Sequence, residues 1–293
     1  MISAELEGAR PSTGDGFADA VTVSWADDAR GWYGMARIGL AADGQGSALA
    51  VLFEGREPVA ALAQGGIDVP EGADWPRVSL GGLSMTTQAP LERWTVAWDG
   101  TDHGFALSLE AVAAPAELAG DDPVAELGGM AGYEQLVRVR GTVRAGDATI
   151  EIDGLGQRGH SWGIADWSRL ELVRTVGAWL GEERGGIVLS ALRPAGASGH
   201  DEEAVWAALV DRGEALPVLD PRLSTTYDGD GHQRRAGLEL WLTEEEGYPT
   251  RAAGEVVCGS SFDLGALRLD MAFMRWRSEG VTGVGRYDVL RKA

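Results

Sequence analysis

Between Arg158 and Trp167 the chain sets Arg158, His160, Trp162, Asp166 and Trp167 close together. In an extended strand His160 and Trp162 point to one face and Ser161 to the other. An imidazole beside an indole is a titratable group in an apolar wall, able to protonate or orient a hydrophobic substrate. In that chemistry His160 is the proton or hydrogen-bond donor and Asp166 the carboxylate that orients it. Trp162 and Trp167 supply wall, and an indole face can steady a developing cation. Arg158 suits a polar end of the substrate, such as a carboxylate. The same residues also admit a structural explanation. His160 would then be a core histidine held by Asp166 or a carbonyl, the tryptophans filling, and Arg158 half of a surface ion pair.

Other motifs are weaker. Gly154-Leu155-Gly156-Gln157-Arg158-Gly159 matches G-x-G-x-x-G, but a dinucleotide site needs a helix start and a βαβ context, and neither is visible. Gly159-His160-Ser161-Trp162-Gly163 matches G-x-S-x-G, the nucleophile elbow of α/β-hydrolases. An elbow sits between a parallel strand and a helix, and its triad needs a downstream histidine. His200 and His232 stand in polar, turn-like stretches. Ser161 therefore remains a third-choice nucleophile. Asp228-Gly229-Asp230-Gly231 is part of a calcium-loop pattern without its closing glutamate and is read as a hairpin tip. His103, His160, His200, His232 and Cys258 have no metal-ligand spacing. No metal and no cofactor is expected.

The elements that must position these residues read as strands. Alternation dominates in Val21-Thr22-Val23-Ser24-Trp25, and again in Trp94-Thr95-Val96-Ala97-Trp98, which stops at Asp99-Gly100. Phe105 to Leu109 completes that hairpin. A long strand from Glu134 to Val143 turns at Ala145-Gly146 and returns through Ala148 to Ile152. Residues 115–130, with Pro115, Pro123 and Gly128-Gly129, read as loop or linker. Further strands begin near Leu170, Ile187, Ala204, Leu238, Leu267 and Gly280. No helix longer than about three turns is expected. The fold class is all-β, with two antiparallel units divided at 1–155 and 156–293.

Bulk properties narrow the partners. A net charge of −20 over 293 residues repels nucleic-acid phosphates and anionic lipid. No window is apolar enough to span a bilayer. A single cysteine, Cys258, allows no intrachain disulfide. The start Met1-Ile2-Ser3-Ala4-Glu5 has no basic stretch followed by an apolar run, so a cytoplasmic chain is expected. The sequence leaves the oligomeric state open. The abundance of glycine and tryptophan, 43 and 11 residues, points to tight bends and broad aromatic surfaces.

The stretch Gly156-Gln157-Arg158-Gly159-His160-Ser161-Trp162-Gly163, with Asp166-Trp167, resembles the signature region of the carotenoid 1,2-hydratase (hydroxyneurosporene synthase)/AttH-like superfamily of lipocalin-like proteins. Lipocalin-like Diels–Alderases belong to the same superfamily. Pro90-Leu91-Glu92-Arg93-Trp94, Tyr133-Glu134-Gln135 and Gly280 through Tyr287, with Gly283 and Gly285, extend the likeness. The resemblance implies two lipocalin-like (calycin) β units. It implies chemistry on a hydrophobic polyunsaturated isoprenoid or polyketide: hydration of a terminal alkene, isomerisation or cyclisation. By resemblance His160 and Trp162 match the hydratases' active-site histidine and tryptophan. Gly159 stands where the family more often has an aspartate, and the hydratases' downstream tyrosine and aspartate have no counterpart. The expected function is a cofactor-independent enzyme with an apolar pocket. The alternatives are a non-catalytic carrier of hydrophobic ligands and a serine hydrolase through Ser161. Far-ultraviolet circular dichroism should be strand-dominated; strong helical minima would contradict this architecture.

Overall fold

The structure is a computed structural model that describes residues 3–199, 202–244 and 247–293; His200 lies outside them. Twenty strands carry nearly all the regular structure of the described residues. They form two antiparallel sheets.

The first sheet contains β1 (Ala18–Asp27), β2 (Trp32–Ala41), β3 (Gln45–Glu54), β4 (Glu57–Asp68), β5 (Arg77–Leu80), β6 (Leu83–Ala89), β7 (Arg93–Asp99), β8 (His103–Ala111), β9 (Ala116–Leu118), β10 (Met130–Ala145) and β11 (Ala148–Gly163). Ten of these run in the order β4-β3-β2-β1-β11-β10-β8-β7-β6-β5, and β9 adds to β10. The sheet curls into a nearly closed barrel. Its last strands come round to its first: a Cβ placed on Gly81, in the β5–β6 turn, would lie 2.9 Å from the Ala48 Cβ on β3. The predicted hairpins form. The long β10–β11 pair turns at Gly146-Asp147, and Gly146 takes the left-handed conformation (φ 57°) that a two-residue hairpin turn favours.

Alternation explains why these segments close on one core. Val21, Val23 and Trp25 of β1 join Val137 and Val139 of β10, Leu107 and Leu109 of β8, and Trp94 and Trp98 of β7 in one buried cluster. Trp25 and Trp98 both set ring edges against Phe105, with centroids 6.0 Å apart in each pair. Such edge contacts suit the aromatic quadrupole.

The second sheet contains β12 (Leu170–Gly181), β13 (Gly185–Pro194), β14 (Ala204–Asp211), β15 (Glu214–Pro217), β16 (Asp220–Tyr227), β17 (Gln233–Trp241), β18 (Thr250–Asp263), β19 (Leu267–Ser278) and β20 (Val281–Lys292). Its order is β15-β14-β13-β12-β20-β19-β18-β17-β16, a curled half-barrel. Its core includes Val176, Leu189, Leu238, Leu240, Met274 and Trp276.

One detail differs from the sequence-based expectation. The stretch read as plain loop contains a short helix, α1 (Pro123–Gly128). Asp122 caps it by accepting from the Val124 amide at 2.8 Å, Pro123 opens it, and Gly129 closes it at φ 68°. Asp-Pro before and Gly-Gly after are helix punctuation as well as loop composition. The compact units are residues 1–117 with 130–165, and 118–129 with 166–293. Strand β11 runs unbroken through residues 155 and 156, so the change of unit comes after it. No helix of the described residues is long and apolar enough to cross a membrane.

Gly34 on β2 faces Trp25 across the β1–β2 ladder, and a Cβ there would lie 2.6 Å from the indole. Gly34→Ala should lower stability by about 1–3 kcal/mol through overpacking. Gly65→Ala, in open space on β4, should be close to neutral. Urea unfolding of the two variants checks the difference.

Candidate functional site

Strand β11 supplies the centre of the site. It pairs with β1 on one edge and β10 on the other, so His160 lies beside Val21 and Tyr133, and Arg158 beside Val23 and Gln135. Arg158, His160 and Trp162 alternate onto the barrel's inner face. His160 has no exposed surface. Its Nε2 lies 2.6 Å from Asp19 Oδ1. An ionised carboxylate only accepts, so Nε2 carries the proton of this bond. Asp19 Oδ2 accepts further hydrogen bonds from the Trp75 indole (3.0 Å) and the Arg10 amide (2.7 Å). Three aromatic rings set their edges or faces around the imidazole: Trp162 at 5.2 Å, Trp75 at 5.6 Å and Tyr133 at 5.7 Å between centroids. Nδ1 has no hydrogen-bond partner among the described residues.

A second polar group adjoins this cage. Glu7 ends a 3-10 turn (Ala4–Glu7) near the N-terminus and is buried. Its carboxylate accepts from Arg158 Nη2 (2.9 Å), Tyr133 OH (2.9 Å), Trp94 Nε1 (3.1 Å) and the Leu91 amide (3.2 Å). Arg158 also donates to the Tyr133 oxygen at 2.7 Å and lies 4.8 Å from the centre of the Trp94 ring. Burial pushes the Tyr133 phenol well above its ordinary 10.0, against the pull of Arg158. Tyr133 thus serves both groups, its hydroxyl on Glu7 and its ring on His160.

The expected site residues divide. Arg158, His160 and Trp162 come together. Asp166 does not orient His160; Asp19 does. Strand β11 ends at Gly163, and Asp166 turns onto its own loop, accepting from the Ser168 hydroxyl (2.6 Å) and amide (2.9 Å). Those bonds hold its carboxyl below the usual value. Trp167 packs on Val124, Leu170 and Leu192, in a small cluster of the second unit. Ser161 sits within β11, paired with Ala20 and Gly132, so the strand–turn–helix elbow of a hydrolase is absent. The G-x-G-x-x-G residues lie in the same strand. At Gly159 a Cβ would lie 2.5 Å from both Glu134 carboxylate oxygens, so any side chain there requires the Glu134 carboxylate to shift.

Asp19, Glu7, Trp75 and Trp94 were missed. Asp19 carried a signal: it shares the parity of Val21, Val23 and Trp25, so a charge occupies the apolar phase of its strand. Glu7, in a segment without periodicity, carried none. Beside Arg158 lies a small, partly open cavity of about 10 Å³, lined also by Val21, Val23, Trp75 and Trp94. That is room for about one water molecule. The expected apolar pocket is not open at this place.

For metal binding, ligand atoms of Asp228, Asp230 and His232 lie within 4.8 Å of one another. Asp228 Oδ1 already accepts from the backbone amides of Asp230 (3.0 Å) and His232 (2.9 Å), as a hairpin tip requires.

Residues 3–293 match a sequence family described as a domain of unknown function, DUF7064. The chain belongs to that family. No curated protein matches this DUF7064 chain in sequence. Its fold is similar to that of kievitone hydratase from Nectria haematococca, with a TM-score of 0.70 at 11% identity over 99% of this chain and 93% of that one. A protein described as AttH from Nitrosomonas europaea gives 0.67 at 13%, over 94% and 92%. CghA bound to Sch210972 gives 0.65 at 13%, over 94% and 89%. The likeness read from the His-x-Trp segment therefore extends, as fold, over nearly the whole chain. At these identities it carries the architecture alone, and the chemistry rests on the residues above.

Tyr133 ties stability to alkaline pH. A raised folded-state pKa means that the native chain holds its phenol proton after the unfolded chain has lost it. This contribution is complete below pH 10.0 and declines above it. Tyr133→Phe should cost about 1–3 kcal/mol at neutral pH by unpairing Arg158 and Glu7. It should also flatten the alkaline decline, leaving the part due to Tyr287, whose pKa burial likewise raises. Urea midpoints measured against pH check both effects.

Proposed function

We propose that this protein is a cofactor-independent enzyme that performs acid–base chemistry on a hydrophobic, unsaturated small molecule of the isoprenoid or polyketide type. The carrying observation is His160: a fully buried imidazole with Nε2 on Asp19 at 2.6 Å and Nδ1 unpartnered within an aromatic cage. Other buried nitrogens of the described residues also lack a partner, among them Trp25 Nε1 and Trp276 Nε1, but an indole nitrogen does not exchange its proton near neutral pH, whereas an imidazole nitrogen does. Asp19 fixes the ring's orientation and balances positive charge at Nε2, which leaves Nδ1 as the atom that exchanges a proton with substrate.

In a hydration the imidazolium form of His160, protonated on both nitrogens, gives its Nδ1 proton to the alkene carbon, leaving the Nε2–H tautomer, and the faces of Trp162 and Tyr133 steady the resulting cation. A water molecule adds, and its surplus proton returns to Nδ1, so the net change is addition of one water. In an isomerisation the second proton leaves the substrate carbon instead. In a cyclisation the same imidazolium keeps its Nδ1 proton as a hydrogen-bond donor and no proton is transferred. Fold kinship with a hydratase supports chemistry of this class.

A carrier without chemistry is the weaker reading, because apolar binding needs neither Asp19 nor an unpartnered Nδ1. With Ser161 held in a strand, the hydrolase reading has no geometric support.

Asp19→Asn should lower kcat by about 10²–10⁴-fold with little change in KM, because it removes charge balance from the reacting imidazole. His160→Gln should lose turnover at least as severely. The assay follows polyene and isoprenoid substrates by mass and connectivity, with near-ultraviolet circular dichroism confirming an intact fold. Undiminished turnover in a folded His160→Gln protein would sink the proposal.

A further inference from the structure

His160 has no exposed surface, so a substrate touches it only if something moves. The N-terminal segment touches the site through Glu7 and Arg10 and has little apolar anchorage. From Ser3 to Gly16, Glu7 is the one buried residue. The segment holds on by polar contacts: Glu7 in its cluster of donors, the Ala9 amide on Asp74 (2.8 Å), the Arg10 amide on Asp19 (2.7 Å), and the Arg10 guanidinium over Trp162 (5.2 Å). None of its residues belongs to the barrel's apolar core.

The donors around Glu7 belong to the barrel instead. Arg158, Tyr133 and Trp94 sit on strands, and each contacts another donor as well as Glu7. Leu91 is held at φ 60°, a left-handed conformation that an L side chain adopts at a cost, and its amide donates to Glu7. Gln135 fixes that loop by donating to the Leu91 carbonyl at 3.0 Å. The turn is thus braced from behind with its N–H presented to the carboxylate.

We propose that this socket is a carboxylate-binding site and that Glu7 is its intramolecular occupant, displaced by the carboxylate of a conjugated, hydrophobic acid. The proposal deepens the reading of His160 as the reacting group and rests on it for what happens after binding. A carboxylate in place of Glu7 meets the same donors. Departure of the segment also lifts Arg10 from the Trp162 ring. The acid's unsaturated chain then lies along Tyr133, whose hydroxyl is in the socket and whose ring is 5.7 Å from His160. The head group is thus fixed one ring away from the His160 imidazole. A neutral ester has no such anchor.

The test uses the full-length protein with cis-parinaric acid, a conjugated polyene acid whose fluorescence rises in apolar surroundings, and with its methyl ester. Removing the internal competitor raises the binding-competent fraction, so Glu7→Ala should bind the acid at least ~10-fold more tightly than the unaltered chain. The ester should show no such gain. Adding Arg158→Met to Glu7→Ala should abolish it.

In the unaltered chain, saturating acid should speed hydrogen exchange at the Arg10 amide, while the Leu91 amide stays protected because a new carboxylate replaces the old. If Glu7→Ala fails to fold, Glu7→Gln keeps the shape without the charge, and the exchange experiment on the unaltered chain decides. Equal affinity in a folded Glu7 variant, or an Arg10 amide that acid leaves unchanged, would overturn the proposal. Tighter binding without turnover of any unsaturated acid would leave the socket standing and remove the catalytic reading. Turnover without the Glu7 effect would do the reverse.

Discussion

Strand β11 is hydrogen-bonded to β1 along one edge and to β10 along the other, and a slip of one residue in either ladder would turn a whole set of side chains to the wrong face. The register is set by the apolar positions that flank the site. Val21, Val23 and Trp25 must stay inside, and so must Val137 and Val139. Holding them there also holds Asp19 beside Trp162, Tyr133 beside His160 and Gln135 beside Arg158. The polar site is therefore positioned by the hydrophobic core.

The same constraint explains why the polar residues come in matched sets. A carboxylate inside a barrel is stable only when donors surround it, and removing one partner of a buried ion pair typically costs about 3–5 kcal/mol. Glu7 is met by a guanidinium, a phenol, an indole and a backbone amide. Asp19 is met by an imidazole, an indole and a backbone amide. His160 Nδ1 is one of eight buried side-chain polar atoms of the described residues without a partner, and it is the one imidazole nitrogen among them. Trp162, Trp75 and Tyr133 fill the space around the imidazole.

Much of this was legible in the sequence. The strands showed in alternation, the β7–β8 hairpin in Asp99-Gly100, and the shared face of His160 and Trp162 in their spacing. Inference from closeness along the chain failed. Asp166 and Trp167 are near His160 in sequence, but β11 stops at Gly163, and the two residues serve a loop and a small apolar cluster beyond its end. Asp19 is 141 positions from His160 and becomes its partner through the β1–β11 ladder, a pairing that no local pattern specifies. Its presence in the apolar phase of β1 was still a readable anomaly. Glu7 was not readable, because only a three-dimensional socket distinguishes it from the chain's other 44 acidic residues. Arg158 was open between a substrate contact and a surface ion pair; it proves to be in an ion pair, but a buried one.

The central claim is that Asp19 keeps a proton on Nε2 and so leaves Nδ1 as the reacting atom. Nitrogen-15 NMR of the protein labelled at histidine, recorded where the ring is neutral, tests it directly. The account predicts that His160 is the Nε2–H tautomer, with a strongly deshielded proton that changes on Asp19→Asn and a bare Nδ1. A proton resident on Nδ1, or a His160 signal indifferent to Asp19→Asn, would contradict it.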